Sequence, residues 1–357
     1  MRNGLCCGLL GVMVACNGAS PTSTDTEAAT TTGTGTMTAT GTPETAGTEA
    51  TSEDSTTTGT PTTGAPTSTD GTTGAPALED ILVADFVGDD VRRYDAATGE
   101  LLGTWTKMPE LDGSLGLVVG PEGHVFVASE EANKVLRFDA DGNFVDVFVG
   151  DDPNTPDDET GGLSGPGAVL FGADGLLYVS SFDSDAILRY DGETGAFVDV
   201  FVPAAEGGLD GPDAGMVFGA DGALYVPSYY TDEVLRYDGV TGEALGAFTP
   251  ADGSLSKPRT LLFVGDHLLV TSEGSGEVVR FDAATGDHVD ALVGQASGLL
   301  TEPSGMAQTA DGTLLVVSLG GKTIEAFAVD TGEHLGTRVG LPGGLQAPTH
   351  MIVRPAG

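Results

Sequence analysis

A chain of 357 residues with 14 Lys and Arg against 53 Asp and Glu carries a formal charge of −39. That balance excludes a nucleic-acid partner, whose phosphates call for a basic footprint, and docking onto anionic lipid through a polybasic patch. All three cysteines lie within the first 16 residues and all 22 aromatics beyond residue 77, so the later chain forms no disulfide and the first 77 residues build no core.

Residues 1–15 read as a secretion signal. Arg2 supplies a positive start, and Leu5 to Val14 is an apolar run too short to cross a bilayer of roughly 30 Å as a helix. The tetrapeptide Met13-Val14-Ala15-Cys16 resembles a bacterial lipobox. That resemblance implies cleavage before Cys16, whose thiol takes a diacylglycerol as a thioether, and so a membrane partner held through lipid. An ordinary secretory signal with an incidental cysteine is the plainer alternative. Residues 16–77 follow as a tether. Positions 17–77 hold 24 Thr and 5 Ser and no Leu, Ile, Val, Lys, Arg or aromatic residue. Such a segment buries too little apolar area to offset its ordering entropy, so a disordered linker is expected, with an end-to-end distance of about 40–50 Å. Its composition fits an O-glycosylated stalk and a bare linker equally well.

The folded part is expected over 78–357, and it repeats. Ile187-Leu188-Arg189-Tyr190-Asp191 with Thr194-Gly195 recurs as Val234 to Asp238 with Thr241-Gly242, and as Val278 to Asp282 with Thr285-Gly286. Val91 to Glu100 and Val135 to Gly142 are further copies, and Ile324 to Glu333 is a degenerate one without the Arg. A run such as Leu177-Tyr178-Val179-Ser180-Ser181 precedes each. Before that comes an apolar run led by Pro and closed by Ala-Asp-Gly, as at Pro166 to Gly175. Each unit reads as four short strands joined by turns. The small polar residue ending the second strand falls at Asp85, Ser129, Ser181, Ser228, Ser272 and Ser318, spaced by 44, 52, 47, 44 and 46. Four strands per roughly 46 residues is a propeller blade, and six landmarks predict an all-β, six-bladed β-propeller. The first unit lacks its Pro-led inner strand, and Pro348 to Val353 at the C-terminus is predicted to supply it and close the ring.

The "LYVSS…ILRYD" pattern resembles the NHL-repeat propellers and their neighbours, the streptogramin lyase and gluconolactonase-type six-bladed propellers. The resemblance covers residues 79 to 355. It implies the fold and leaves function open, because such propellers host lyases, lactonases and pure binding modules.

Candidate ligand-binding residues gather where the second strands end and the inner strands begin: Asp85, Glu130, Tyr229, Glu273, Asp213, Arg259 and His350. Hydroxyls, aromatics and carboxylates in a ring suit a sugar or peptide. The landmark serines equally suit strand-ending residues that bond their own loops. Arg259 reads as a clamp for a carboxylate or phosphate, or as the partner of nearby acids such as Glu302 or Asp213. The resemblance to the lactonases implies a divalent cation held by Glu, Asp and Asn, yet Asn133, Asn143 and Asn154 miss the central register. The lyase resemblance implies paired central histidines, and only His350 is placed to face the channel. No catalytic residue is therefore assigned. Asp151, Asp152, Asp157, Asp158 and Glu159 crowd one long insertion, which fits Ca²⁺ or a solvated acidic loop. The repeated Arg93, Arg137, Arg189, Arg236 and Arg280 read as structural, pairing with acids of a neighbouring strand over an aromatic. The expectation is a monomeric, lipid-anchored module of the bacterial cell envelope, on the outer membrane, at the cell surface or in the periplasm. It acts as a non-catalytic scaffold or binds a protein, peptide or carbohydrate, and a lactonase- or lyase-like enzyme with its site at the channel mouth is the alternative.

Overall fold

The computed structural model describes residues 79–151 and 159–356. Cys16, the tether, Asp152, Asp157 and Asp158 lie outside the described residues. The described chain forms six four-stranded antiparallel sheets with five single turns of 3₁₀ helix and no α-helix. Blade 1 runs from its inner strand outward as Pro348–Pro355, Glu79–Asp85, Asp90–Asp95 and Leu101–Lys107. Blades 2 to 6 begin with the inner strands Ser114–Val119, Pro166–Phe171, Val217–Phe218, Pro258–Val264 and Pro303–Gln308, and each adds its three following strands in chain order. The C-terminal strand pairs antiparallel with the first, Ile81 opposite Val353, so no sheet edge is left at the seam.

Alternation explains the core. Second strands are buried along their whole length, as in Val125–Ser129 and Leu224–Ser228, or at all but their first residue, as in Leu176–Ser181, because both faces meet neighbouring blades. Outer strands such as Phe197–Val202 are exposed at their start and buried only at Phe201 and Val202. Apolar clusters fill the seams between adjacent blades. One joins Ile81, Val83 and Tyr94 of blade 1 to Leu315, Val317 and Ile324 of blade 6.

The Thr-Gly turn has a second role beyond turning the chain. Gly195 sits at φ +75°, and a Cβ there would lie 1.8 Å from the carbonyl oxygen of Phe148 in the preceding blade. The corresponding glycines 99, 142, 242, 286 and 332 meet a backbone carbonyl of the preceding blade's outer edge in the same way, at 1.6 to 2.1 Å. The turn glycine is therefore needed both for its left-handed backbone and for close blade packing.

Four of the five repeated arginines pair with an acid of a neighbouring strand, and Arg137 and Arg189 also lie over an aromatic ring. Arg189 donates from Nε and Nη2 to Asp199 at 2.8 and 2.6 Å and lies 4.7 Å over the Phe201 ring. Arg280 grips Asp290 at 2.9 and 2.6 Å, Arg137 grips Asp146, and Arg93 reaches Asp80 at 2.6 Å. Third-strand tyrosines tie down the loops that lead into their own blades: Tyr94 to Gly343, Tyr190 to Thr160 and Tyr237 to Glu206, each through a backbone carbonyl.

Candidate functional site

The mouth of the channel is built from two consecutive rings of residues. The first ring is the end of the second strand. Ser129, Ser181, Ser228, Ser272 and Ser318 are buried, and each hydroxyl accepts the N–H of the loop before its own inner strand and donates back to a carbonyl there. Asp85 does the same work with a carboxylate, accepting the N–H groups of Gly88, Gln346 and Ala347 at 3.2, 2.7 and 2.7 Å. Its side chain is wholly buried and engaged by the backbone. The structure thus places Asp85 as the clasp that holds the closing strand, apart from the other candidate ligand-binding residues.

The second ring is one residue further along. Inner strands open with a register shift between their first and fourth residues, at Pro166/Val169, Pro258/Leu261 and Pro303/Met306, and blade 4 retains only a Pro212–Ser228 bridge before Val217. Such bulges re-aim side chains at a barrel or propeller rim. Here they bring Asp213 and Arg259, 2% and 6% exposed, side by side. Arg259 Nε lies 3.1 Å and Nη2 3.3 Å from the Asp213 carboxylate, and Nη1 donates to Glu273 Oε2 at 2.9 Å. Tyr229 donates its hydroxyl to Glu273 Oε1 at 2.7 Å. The ammonium of Lys257 stands 3.8 Å from the same oxygen and 5.3 Å over the Tyr229 ring. Asp213, Tyr229, Arg259 and Glu273 are therefore one network. Arg259 has Asp213 as a partner, as expected, but its second acid is Glu273 and not Glu302.

Glu130 and His350 share the mouth without joining that network through hydrogen bonds. Burial, reinforced by the negative charge of Asp213, pushes the Glu130 carboxyl up to about 8, against the opposing pull of Arg259. It is therefore largely protonated at neutral pH. Burial and then the nearby Arg259 charge hold His350 down at about 4, and its Nδ1 has no hydrogen-bond partner. Burial also raises Asp213 and Tyr229, with Arg259 working against the rise in both. Beside them lies an aromatic patch. The rings of Phe182, Tyr229 and Tyr230 meet edge to face at centroid distances of 5.9, 5.6 and 5.1 Å. Tyr230 and Lys257 are absent from the candidate residues, although two adjacent tyrosines occur only here and Lys257 stands two residues before Arg259.

Of the insertion acids, Asp151 accepts the N–H of Glu159 at 3.0 Å. Among the described residues no cluster of three or more His, Cys, Asp or Glu is arranged to hold a metal ion.

No protein-family model matches the sequence, and no curated protein matches it. Solved structures do. A chain in a nidogen/laminin complex superposes with a TM-score of 0.60 at 14% identity, covering 77% of this chain and 98% of that one. A protein of unknown function from Bacteroides caccae gives 0.58 at 12%, covering 78% and 100%. Streptogramin B lyase gives 0.53 at 16%, covering 76% and 83%. The chain is a six-bladed β-propeller, similar in fold to streptogramin B lyase and to a chain of the nidogen/laminin complex.

Proposed function

We propose that this chain is an exported protein, held at the bacterial outer membrane or cell surface by lipid on Cys16, whose monomeric propeller binds a protein, peptide or carbohydrate at the channel mouth without transforming it. The observation that carries the reading is the closed network at Arg259. With Asp213 and Glu273 already gripping the guanidinium, the mouth offers a ligand a protonated carboxyl at Glu130 and the rim of Phe182, Tyr229 and Tyr230. A neutral carboxyl that donates and accepts, next to aromatic faces, suits hydroxyl- and amide-rich ligands better than a bare anion.

One observation favours the lyase- or lactonase-like alternative. A carboxyl near pKa 8 is poised for general acid work, and His350 stands in the same mouth. The two readings separate in one comparison. The protein is probed against arrayed glycans and peptides, and incubated with lactones and streptogramin B, alongside Glu130→Gln and Tyr229→Ala. Binding lost in the variants, with no turnover in the parent, supports the binding module. Turnover abolished by Glu130→Gln overturns it. Anchoring is tested separately: Cys16→Ala is expected to release the protein from the membrane fraction, and a variant that still pellets with membranes removes the lipid from the proposal.

A further inference from the structure

The repeat supplies its own control for a second site, at the seam between blades 4 and 5. In blades 2, 3 and 5 the third-strand arginine faces an aspartate across the outer strand: Arg137 opposite Asp146, Arg189 opposite Asp199, Arg280 opposite Asp290. In blades 1 and 4 the residue opposite is a glycine, Gly103 facing Arg93 and Gly246 facing Arg236; Arg93 turns instead to Asp80 at 2.6 Å, whereas Arg236 has no carboxylate that close among the described residues. The bidentate grip is gone by composition. Arg236 keeps the weaker arrangement that Arg189 has in addition to its grip, an approach of 4.0 Å to the turn aspartate, here Asp221, and a hydrogen bond to the Tyr225 hydroxyl.

A second difference accompanies the first, and blade 3 shares it, since Arg189 turns its Nη1 to the Tyr178 hydroxyl at 3.5 Å. In blades 2 and 5 the free Nη1 crosses the seam to the carbonyl just before the Thr-Gly turn of the next blade, Arg137 to Glu193 at 3.5 Å and Arg280 to Asp330 at 3.1 Å. The matching carbonyl for Arg236 is that of Ala284. Between Arg236 and Ala284 there is instead a cavity of about 690 Å³, walled by Phe218, Tyr225 and Phe263 and rimmed by Asp221, Asp266 and Asp282. That volume lies within the roughly 300–1,000 Å³ range of small-molecule sites.

The polar groups on the rim differ in what they have left to offer. Asp221 accepts the Tyr225 hydroxyl at 3.0 Å and the Ala223 N–H at 3.1 Å. Asp282 is occupied by the N–H groups of Ala284 and Thr285 and the Thr285 hydroxyl. The Asp266 carboxylate has no hydrogen-bond partner among the described residues. A guanidinium released from its carboxylate takes another planar anion, ideally two oxygens at once. The surrounding acids and the chain's charge of −39 oppose a ligand with net negative charge.

We propose that this seam binds a small zwitterion, an α-amino acid with an apolar or aromatic side chain. Its carboxylate replaces the missing aspartate on Arg236, its ammonium meets Asp266 and the Ala284 carbonyl, and its side chain packs against Phe218 and Phe263.

Isothermal titration of the full chain with L-phenylalanine and L-leucine tests this, with phenylacetate and phenethylamine as single-charge controls. Binding of the amino acids is expected, with each control at least about tenfold weaker, since each leaves one charged partner unmatched. Arg236→Gln is expected to weaken binding at least about tenfold, and Asp266→Asn to weaken it with the melting temperature unchanged. Glu130→Gln, at the channel mouth, is expected to leave it intact. No heat and no thermal shift with either amino acid overturns the proposal, as does phenylacetate binding as tightly, or affinity that survives both Arg236→Gln and Asp266→Asn. Should Arg236→Gln melt far below the parent, Asp266→Asn on its exposed turn decides alone.

Discussion

The six turn glycines and the six residues ending the second strands do one job each, repeated around the ring. The residues one step beyond the second-strand ends share no job: Phe86, Glu130, Phe182, Tyr229, Glu273 and Leu319 differ from blade to blade. Every member of the first set answers a backbone group of the same or the adjacent blade, so any blade needs the same chemistry there. The second set faces the shared mouth, where no neighbouring backbone dictates identity. Sameness marks the frame and difference marks the site. The outer-strand residue opposite the third-strand arginine position is itself mixed, Asp in blades 2, 3 and 5 and Gly in blades 1, 4 and 6, and a cavity lies beside the glycine of blade 4.

The largest test breaks the frame outright. Deleting 348–357 removes the inner strand of blade 1 and leaves Asp85 without its closing-strand contacts. Loss of cooperative melting in the 78–357 domain is expected. A truncated domain that melts like the intact one would refute the closure.

Next comes the network in the mouth. Arg259→Leu strands Asp213 in a buried setting, which costs about 3–5 kcal/mol when one member of a buried pair is removed. The loss is expected to grow with pH, because burial already raises Asp213, and a carboxyl raised by folding loses stability as pH climbs through its folded value. Adding Asp213→Leu is expected to restore most of it. If chemical denaturation finds less than about 1 kcal/mol for the single variant, the network does not hold the mouth.

A third test compares glycines. Gly195 and Gly123 both have left-handed backbones, φ +75° and +78°, but only Gly195 has a carbonyl where a Cβ would go. Gly123→Ala is expected to cost about 1–2 kcal/mol for the backbone alone. Gly195→Ala is expected to cost about 3 kcal/mol or more, because the blades must part. Equal melting temperatures for the two would remove close packing as the reason for the repeated glycine.

How far the sequence carries depends on the same distinction. Repeated features were legible: the six blades, the strand that closes them, and the arginine–aspartate braces each follow from residues that recur at fixed spacing. The serine landmarks were legible in position and ambiguous in role, because a hydroxyl at a strand end serves loop or ligand equally well until its partners are known. Asp85 looks like a ligand residue for being the one acid in its ring, whereas its carboxylate holds two backbone N–H groups of the closing segment and one of its own turn. Glu273 as the second partner of Arg259 was not legible. A bulge at Pro258/Leu261 sets where that guanidinium points, and single-sequence patterns do not reveal bulges. Gly246 departs from the Phe-Val-Asp-Val pattern as Gly103 and Gly336 do, so sequence alone does not single it out, and its consequence needed the cavity.

The smallest effect sharpens the comparison most, because it isolates one residue of the variable set. Folding raises the Glu130 carboxyl from 4.5 to about 8. Below 4.5 it is protonated in both folded and unfolded chains and makes no difference. Between 4.5 and 8 the unfolded chain ionises while the folded chain keeps its proton, so Glu130 withdraws stability as pH rises, and the loss is complete above 8. His350, depressed to about 4, does the opposite, withdrawing stability as pH falls from 6.5 toward 4. Glu130→Gln removes the first slope and leaves the second. The variant is expected to match the parent near pH 4.5 and to exceed it by roughly 1–2 kcal/mol at pH 8.5, a figure reduced for the water that reaches the mouth. Denaturation of both proteins across pH 4.5 to 8.5 measures it. Parallel curves would mean that Glu130 ionises normally in the folded protein, and the neutral carboxyl on which the binding proposal relies would be gone.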